Sequence, residues 1–269
     1  MHSTGAVAPQ AMLRGGSYSI QHVVYSLEQS GYPVTANINN QELPVPVFQL
    51  PEKNIFPDPD FAETDGLLAV GGDLSPQRLL AAYSQGIFPW YSEGEPILWW
   101  STAPRLVLFP EEFHLPRRLA RTIRQGKFSV TVDRNFARVI RLCANSRTIR
   151  NEATWITDEM RDAYIRMHEL GYGHSVECWQ EGRLAGGLYG LEIDRVFFGE
   201  SMFSLKNDAS KVALVNLVNK CLERDIRMID CQMTTSHMLR FGARELSRQE
   251  FGECLARWIQ QIEPPRPWS

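Results

Sequence analysis

The chain of 269 residues predicts an α+β fold, in which an antiparallel sheet is followed by helices. Three strand-like segments, 174–179, 184–191 and 196–203, are separated only by turns, which is typical of an antiparallel meander. A helix, a strand and further helices follow the meander, and this order is an α+β arrangement. Apolar residues make up 43% and charged residues 22% of the chain, so extensive disorder is excluded.

The chain ahead of the meander changes character several times. Residues 1–46 lack sustained periodicity, and we expect a weakly structured extension there. Residues 47–65 are rich in Pro and Asp, which favours loops. Ser75 as a cap and Pro76 at the first helical position predict a helix that ends at Gly86. The next predicted elements are a helix over 117–124, a strand over 128–132, a helix over 135–144 and a helix from Thr157 to Gly171.

The chain after the meander alternates helices and a strand. The pattern predicts a long helix over 209–224, a strand over 227–231, a short helix over 236–241 and a final helix over 248–262. No internal repeat is visible, and the length allows one large domain or two ordinary ones.

The formal net charge of −3 hides an uneven distribution. Residues 1–116 carry −8, residues 117–150 carry +9 and residues 151–269 carry −4. Solvated helices normally mix both signs, but the middle stretch holds few acids. Its basic side chains include a set with the three- and four-residue spacing of one helical face: Arg117, Arg118, Arg121, Arg124 and Lys127. A solvated face and a phosphate-binding face are both compatible with this pattern.

Aromatic residues cluster in two short segments, 87–91 and 97–100, which hold three of the seven tryptophans. Such density is typical of a buried core. The alternative is a stacking surface for a nucleic-acid base, because every base presents a π-face to an aromatic ring.

The cysteines and histidines argue against covalent or metal cross-linking. The five cysteines include no C-x-x-C spacing, and the six histidines form no H-E-x-x-H pattern. We therefore expect neither disulfides nor a metal site, and a reducing cytoplasm is the expected compartment. We expect no membrane span and no secretory signal, because an apolar run of about 18 residues and a basic-then-apolar start are both missing.

Three polar residues near predicted strand ends are candidates for chemistry. Glu200 would share a strand face with Phe198 and Met202, where a carboxylate is costly unless it has a partner. It is either a paired structural charge or an acceptor for substrate hydrogen bonds. Asp230 and Gln232 should project to one face and could orient an amine, although a polar cap at the strand end also explains them.

Eight sequence blocks, taken in order, resemble one known family. They are DGLLAVGGDLS at 65–75, GIFPWY at 86–91, PILWWS at 96–101, TWI at 154–156, HSVE at 174–177, GGLYG at 186–190, FGESMFS at 198–204 and IDCQ at 229–232. From about residue 50 to about residue 255, the chain resembles the bacterial leucyl/phenylalanyl-tRNA–protein transferases.

The resemblance implies an activity and a domain organisation. The family transfers Leu or Phe, and Met less well, from its tRNA to the α-amine of an N-terminal Arg or Lys, which creates an N-end rule degradation signal. It implies that no metal and no acetyl-CoA are needed, and we expect a monomer without a cofactor. It also implies a small N-terminal domain over 47–110 and a larger acetyltransferase-like (GNAT-like) domain over 111–269, with an antiparallel-rich mixed sheet and a tRNA-binding stretch at 117–150.

The resemblance also implies roles for individual residues. Glu200, Asp230 and Gln232 would lie in the catalytic site. We expect Asp230 and Gln232 to orient the amine and help it lose a proton, and Glu200 to hold the aminoacyl or protein substrate. Residues implied to bind the aminoacyl-adenosine end are Trp90, Trp155, Leu188, Phe197, Met202, Leu214, Leu217 and Ile229. The five basic residues of 117–127 named above are assigned to tRNA by their charge. The loop at 101–105 reads STAPR, whereas Ser-Pro-x-Pro-Arg is commoner in the family.

Two other classes of protein are the alternatives. An acetyl-CoA-dependent acetyltransferase would need a Gly- and Arg-rich pyrophosphate loop before a helix, which the sequence does not show. A non-catalytic RNA-binding module would bind tRNA without turnover.

Overall fold

A computed structural model describes residues 47–148 and 156–268. The predicted extension at 1–46 lies outside the described residues. The strands are β1 (Phe48–Gln49), β2 (Leu67–Val70), β3 (Phe88–Pro89), β4 (Leu98–Trp100), β5 (Arg105–Leu108), β6 (Ser129–Val132), β7 (Gly173–Gln180), β8 (Arg183–Ile193), β9 (Val196–Ser204), β10 (Met228–Asp230) and β11 (Arg244–Leu246). The α-helices are α1 (Pro76–Tyr83), α2 (Arg117–Arg124), α3 (Phe136–Thr148), α4 (Asp158–Glu169), α5 (Ala209–Glu223), α6 (Ser236–Leu239) and α7 (Arg248–Trp258).

The strands form two sheets. The first has the order β1-β2-β4-β3, with β1 and β2 parallel and the other pairs antiparallel. The second has the order β11-β5-β10-β9-β8-β7-β6, in which only the pair of β10 and β9 is parallel. The predicted α+β class and its antiparallel-rich mixed sheet are therefore confirmed. The expected domain boundary at residue 110 stays a prediction.

The seven-stranded sheet is covered on both faces. Helices α3 and α4 and the four-stranded sheet contribute to one apolar cluster, which includes Tyr83, Trp99, Tyr164 and Phe198. Helix α5 packs across β7, β8 and β9 and belongs to a second cluster with Leu188, Phe197 and Ile229. Successive residues of a strand point to opposite faces of a pleated sheet, so they fall alternately into the two clusters.

Two helices begin at the N-cap residues that the sequence predicts. The hydroxyl of Ser75 accepts from the N–H of Arg78, with Pro76 at the first helical position. Thr157 caps α4 in the same way, through the N–H of Met160 at 3.1 Å. The helices and strands that the sequence predicts from residue 75 onward are all present, and their ends differ from the prediction by a few residues.

Two features of the elements differ from the sequence prediction. The final helix ends at Trp258 rather than residue 262, because the N–H of Gln260 bonds to the carboxylate of Asp194 and draws the chain away. The short strands β1 to β5 and β11 were not predicted, since runs of two to four residues carry little periodicity.

The aromatic segments are mostly core, as the first of the two interpretations expected. Ile87, Phe88, Tyr91, Trp99 and Trp100 are buried. Trp90 is partly exposed, with its ring centroid 5.7 Å from that of Trp100.

Candidate functional site

A cavity opens between α5, the strands β8, β9 and β10, and the segment that follows β10. Its volume is about 100 Å³, and an apolar cavity of about 150 Å³ is known to hold benzene. The space therefore fits one apolar side chain. The residues that line it are Leu188, Tyr189, Gly199, Glu200, Ser201, Met202, Leu214, Leu217, Ile229, Cys231, Gln232, Thr235, His237 and Met238.

Glu200 reaches this cavity because β9 carries a β-bulge. Tyr189 pairs with Ser201 and Gly190 pairs with Gly199, which leaves Glu200 as the extra residue. A bulge shifts the alternation of side chains along a strand and re-aims the extra one. The expectation that Phe198 and Met202 share a face was therefore wrong: Phe198 packs on Tyr83, whereas Met202 lines the cavity on the opposite face.

Two tyrosine hydroxyls hold the Glu200 carboxylate. Tyr83 of α1 donates to Oε1 at 2.7 Å, and Tyr164 of α4 donates to Oε2 at 3.1 Å. The two hydroxyl oxygens also lie within hydrogen-bonding distance of each other, and a hydroxyl that donates to Glu200 can only accept in this contact. The pKa of Glu200 is raised to about 7, mainly by burial and to a smaller extent by the nearby Asp230, while both tyrosines and Arg105 oppose this shift. A carboxyl with this pKa can gain or lose a proton near neutrality.

Tyr83 and Tyr164 were missed by the sequence analysis. Each lies on the apolar face of an amphipathic helix, and this pattern predicts a core residue. The sequence offers no signal that their hydroxyls meet at a carboxylate far along the chain.

Gln232 lies two residues after the last strand residue of β10 in the left-handed region, with a φ of 53°. Its Nε2 lies 3.5 Å from Oε1 of Glu200, and the residue lines the cavity. The turn breaks the strand alternation on which the sequence expectation relied. The expectation that Asp230 and Gln232 project to one face was therefore wrong.

Asp230 is fully buried and bound by an arginine. Nε and Nη2 of Arg105 donate to its two carboxylate oxygens at 2.9 and 2.7 Å. The guanidinium of Arg105 lies between the rings of Phe88 and Phe251, with 4.8 Å to each centroid. Asp230 also accepts from the backbone N–H of Gln232 at 2.9 Å, which ties the left-handed turn to the ion pair.

His237 of α6 contributes a neutral ring to the cavity wall. Burial, together with the charges of Lys211 and Arg240, lowers its pKa to about 4. Its ring packs edge-on against Phe241, with 5.2 Å between centroids. His237 is therefore uncharged at neutral pH.

The structure brings together most of the predicted aminoacyl-pocket residues. Five of them line the cavity: Leu188, Met202, Leu214, Leu217 and Ile229. Phe197 is buried in the same apolar cluster, where its ring lies 5.6 Å from that of Trp268, and does not line the cavity. Trp90 lies outside the cavity wall, and Trp155 lies outside the described residues.

The predicted basic residues are exposed along α2 and just after it. Helix α2 buries Leu119, packs the partly buried Ile123 against α5, and presents its arginines to solvent. None of the five predicted basic residues forms an ion pair with any described residue, whereas Arg161 and Arg166 of α4 do. An unneutralised cationic face of this kind attracts phosphates.

Two absences apply to the described part of the chain. Within residues 47–148 and 156–268, no cluster of His, Cys, Asp or Glu is arranged to hold a metal ion. Over the same ranges, every helix is too short or too polar to cross a bilayer.

Comparison with known proteins identifies two matching family models. Residues 107–256 match the family model described as leucyl/phenylalanyl-tRNA protein transferase, and residues 72–103 match the model of its N-terminal domain. A solved GCN5-related N-acetyltransferase from Kribbella flavida is similar with a TM-score of 0.32 and 11% identity, over 64% of this chain and 61% of that one.

Two relatives carry the same name. The leucyl/phenylalanyl-tRNA–protein transferase of Syntrophobacter fumaroxidans is 57% identical over 84% of this chain and 96% of its own length. That of Desulfotalea psychrophila is 54% identical over 83% of this chain and 98% of its own length. With relatives this similar along nearly their whole length, the chain belongs to the leucyl/phenylalanyl-tRNA–protein transferase family and is an aminoacyltransferase.

Proposed function

We propose that this enzyme transfers Leu or Phe, and Met less well, from aminoacyl-tRNA to the α-amine of a protein that begins with Arg or Lys. The observation that supports this most is the apolar cavity of about 100 Å³ with Glu200 and Gln232 in its wall. An apolar side chain in the cavity would leave its ester carbonyl beside these two polar groups. The transferred residue would then act as an N-end rule degradation signal.

The cavity would select the amino acid by shape rather than by charge. Its wall contains Leu188, Met202, Leu214, Leu217 and Ile229, and methionine side chains adapt to ligands of different shape. A difference of one methylene is worth only about 1–3 kcal/mol in such a pocket. Acceptance of Leu, Phe and Met by one cavity follows from this modest discrimination.

The chemical step replaces an ester with an amide. The α-amine nitrogen forms a bond to the carbonyl carbon, the bond from that carbon to the ribose oxygen breaks, and the amine proton ends on the ribose oxygen. An α-amine has a pKa of about 7.7–8.0, so about a tenth or more is neutral near pH 7 and a strong base is not needed. Positioning can lower such a barrier by about 7–11 kcal/mol.

In this proposal Glu200 accepts the amine proton and returns it to the leaving oxygen. Its pKa of about 7 suits both directions of transfer near neutrality. Gln232 orients the amine or the carbonyl through its amide, which cannot titrate. Asp230 acts as a positioning residue through the backbone of Gln232, because its carboxylate is bound by Arg105.

The tRNA would approach along the basic face of α2. Arg117, Arg118, Arg121 and Arg124, with Lys127, are exposed and would contact phosphates. Trp90 is partly exposed and would stack on the terminal adenosine, and we assign the same role to Trp155 on the family resemblance alone. We further propose a cytoplasmic monomer, in line with the availability of charged tRNA there.

One assay tests this function. Purified enzyme is mixed with radiolabelled Leu-tRNA and peptides that begin with Arg, Lys or Asp. We expect label in the Arg and Lys peptides and none in the Asp peptide. Binding of tRNA without any transfer would instead support a non-catalytic RNA-binding module, and transfer of acetyl from acetyl-CoA to the same peptides would support an acetyltransferase.

A further inference from the structure

We propose that Glu245 of β11 recognises the cationic side chain of the acceptor's N-terminal Arg or Lys. This inference rests on the function proposed above. It assigns the selectivity for the acceptor's first residue to a side chain that lies outside the eight sequence blocks. It follows from three observations: Asp230 and Glu200 already have other partners, Glu245 faces the cavity side of the sheet, and Glu245 has no cationic partner among the described residues.

The two carboxylates of the candidate catalytic site, Asp230 and Glu200, already have other partners. Asp230 is buried and bound through both oxygens by Arg105. Glu200 accepts hydrogen bonds from Tyr83 and Tyr164 on its two oxygens. Asp230 is therefore occupied by Arg105, and Glu200 is occupied by the two tyrosines and by the proton transfer proposed above, so a third carboxylate is needed for the acceptor's side chain.

The register of the sheet places Glu245 on the same face as the cavity. Glu245 pairs with Leu106 across the antiparallel ladder of β11 and β5, and directly paired residues point to one face. Leu106 belongs to the apolar cluster of Ile229 and Leu188, which line the cavity. The next residue, Leu246, belongs to the cluster on the opposite face, as the alternation requires.

Local hydrogen bonds bring Glu245 to the rim of the cavity. The N–H of Leu106 donates to the carbonyl of Gln232 at 3.2 Å. Thr234, which precedes the cavity residue Thr235, donates from its hydroxyl to the Glu245 carboxylate. Strands β11 and β10 lie on either side of β5, so two strand spacings, roughly 9.5 Å, separate Glu245 from the strand that leads to Gln232.

Glu245 is exposed and forms no ion pair within residues 47–148 and 156–268, although two arginines, Arg244 and Arg248, are close to it in sequence. Arg244 instead pairs with Glu112 at 3.3 Å, and Arg248 lies 3.9 Å from Asp60. An unpaired carboxylate beside a reaction site attracts a cationic ligand group and orients it. The α-amine of an acceptor bound this way would be directed toward Gln232.

The test compares two acceptors that differ only in charge. Peptides begin either with Arg or with citrulline, which has nearly the same shape but no charge, and kcat/KM is measured for each with Leu-tRNA. In Glu245→Gln we expect the preference for Arg over citrulline to fall roughly two- to fivefold, the size expected for a partly exposed ion pair. Glu245→Lys should lower it further through repulsion, while the KM for Leu-tRNA stays unchanged.

Glu253→Gln is the matched control, since Glu253 is an exposed carboxylate on α7. It should keep the wild-type preference. An unchanged preference in Glu245→Gln, or an equal loss in Glu253→Gln, would overturn the inference while leaving the proposed function intact. If the wild-type enzyme transfers Leu to neither peptide, the proposed function itself fails.

Discussion

The hydroxyl of Tyr83 donates a 2.7 Å hydrogen bond to Oε1 of Glu200, and this contact joins the helix beside the four-stranded sheet to the cavity of the seven-stranded sheet. Tyr83 is fully buried, whereas Glu200 faces the cavity. The smaller sheet region therefore supplies part of the environment that sets the charge of the candidate catalytic carboxyl.

Removal of the Tyr83 hydroxyl should shift the pH dependence of transfer. Tyr83 stabilises the ionised form of Glu200 and so lowers its pKa. In Tyr83→Phe the pKa should rise above about 7, and the acid limb of the kcat/KM profile should move to higher pH. Tyr91→Phe is the control, because the hydroxyl of Tyr91 bonds to Glu159 instead. An acid limb that stays in place would argue against Glu200 as the proton acceptor.

The stability of the wild-type protein should carry a signature of Glu200. Its folded pKa of about 7 lies above the ordinary 4.5, so the folded state binds the proton more tightly. The stabilisation from this group is complete below pH 4.5 and is lost as pH rises through about 7, by no more than about 3 kcal/mol.

Glu200→Gln mimics the protonated carboxyl and should not show this loss. The Tm of the variant, relative to wild type, should therefore rise between pH 5 and pH 8 in thermal melts. A difference that is constant across this range would contradict the raised pKa.

Asp230→Asn should lower stability as well as activity. It leaves the Arg105 guanidinium buried without a counter-charge, and breaking a buried pair costs about 3–5 kcal/mol. The exposed pair of Arg166 and Glu169 provides the comparison, since Glu169→Gln should cost at most about 0.5 kcal/mol. Urea titrations give both values. Loss of transfer at a temperature where Asp230→Asn remains folded would support its role in positioning Gln232.

Charge reversal on α2 should weaken tRNA binding. With Arg117, Arg121 and Arg124 all changed to Glu, the slope of log K against log salt should fall by up to about 3, since each phosphate contact contributes about 0.9. Arg257→Glu changes an exposed arginine of α7 and should leave the slope as it is. If the triple variant keeps the wild-type slope, α2 is only a solvated face.

Two glycine substitutions should have opposite effects on stability. A Cβ at Gly190 would lie 2.2 Å from the carbonyl oxygen of Phe198, so Gly190→Ala must displace the backbone beside the Glu200 bulge. Gly252 lies within α7 and a Cβ there meets nothing within 4 Å. Gly252→Ala should stabilise by about 0.5–1 kcal/mol, while Gly190→Ala should destabilise by several kcal/mol. Thermal melts of both variants measure this, and equal effects would contradict the close approach at Gly190.

The sequence by itself determined the fold class and the longer elements of this protein. Capping residues such as Ser75 and Thr157 and the turns at Glu181-Gly182 and Ile193-Asp194 act locally, so they can be read from the chain without its tertiary structure. The ordered motif blocks also identified the family. The apolar residues of the pocket were found in this way, since five of the six described ones line one cavity.

The tertiary structure decided how the polar residues of the site are arranged. The bulge at Glu200 depends on the register of β8 against β9, and the turn at Gln232 depends on the ion pair of Asp230 with Arg105. Arg105 lies 125 residues before Asp230, so no local pattern reports their pairing, and the hairpin of β8 and β9 gives no sequence signal for where its register shifts. The charge state of Glu200 likewise comes from burial and from two tyrosines on separate helices, because electrostatic environment is a property of space and not of sequence order.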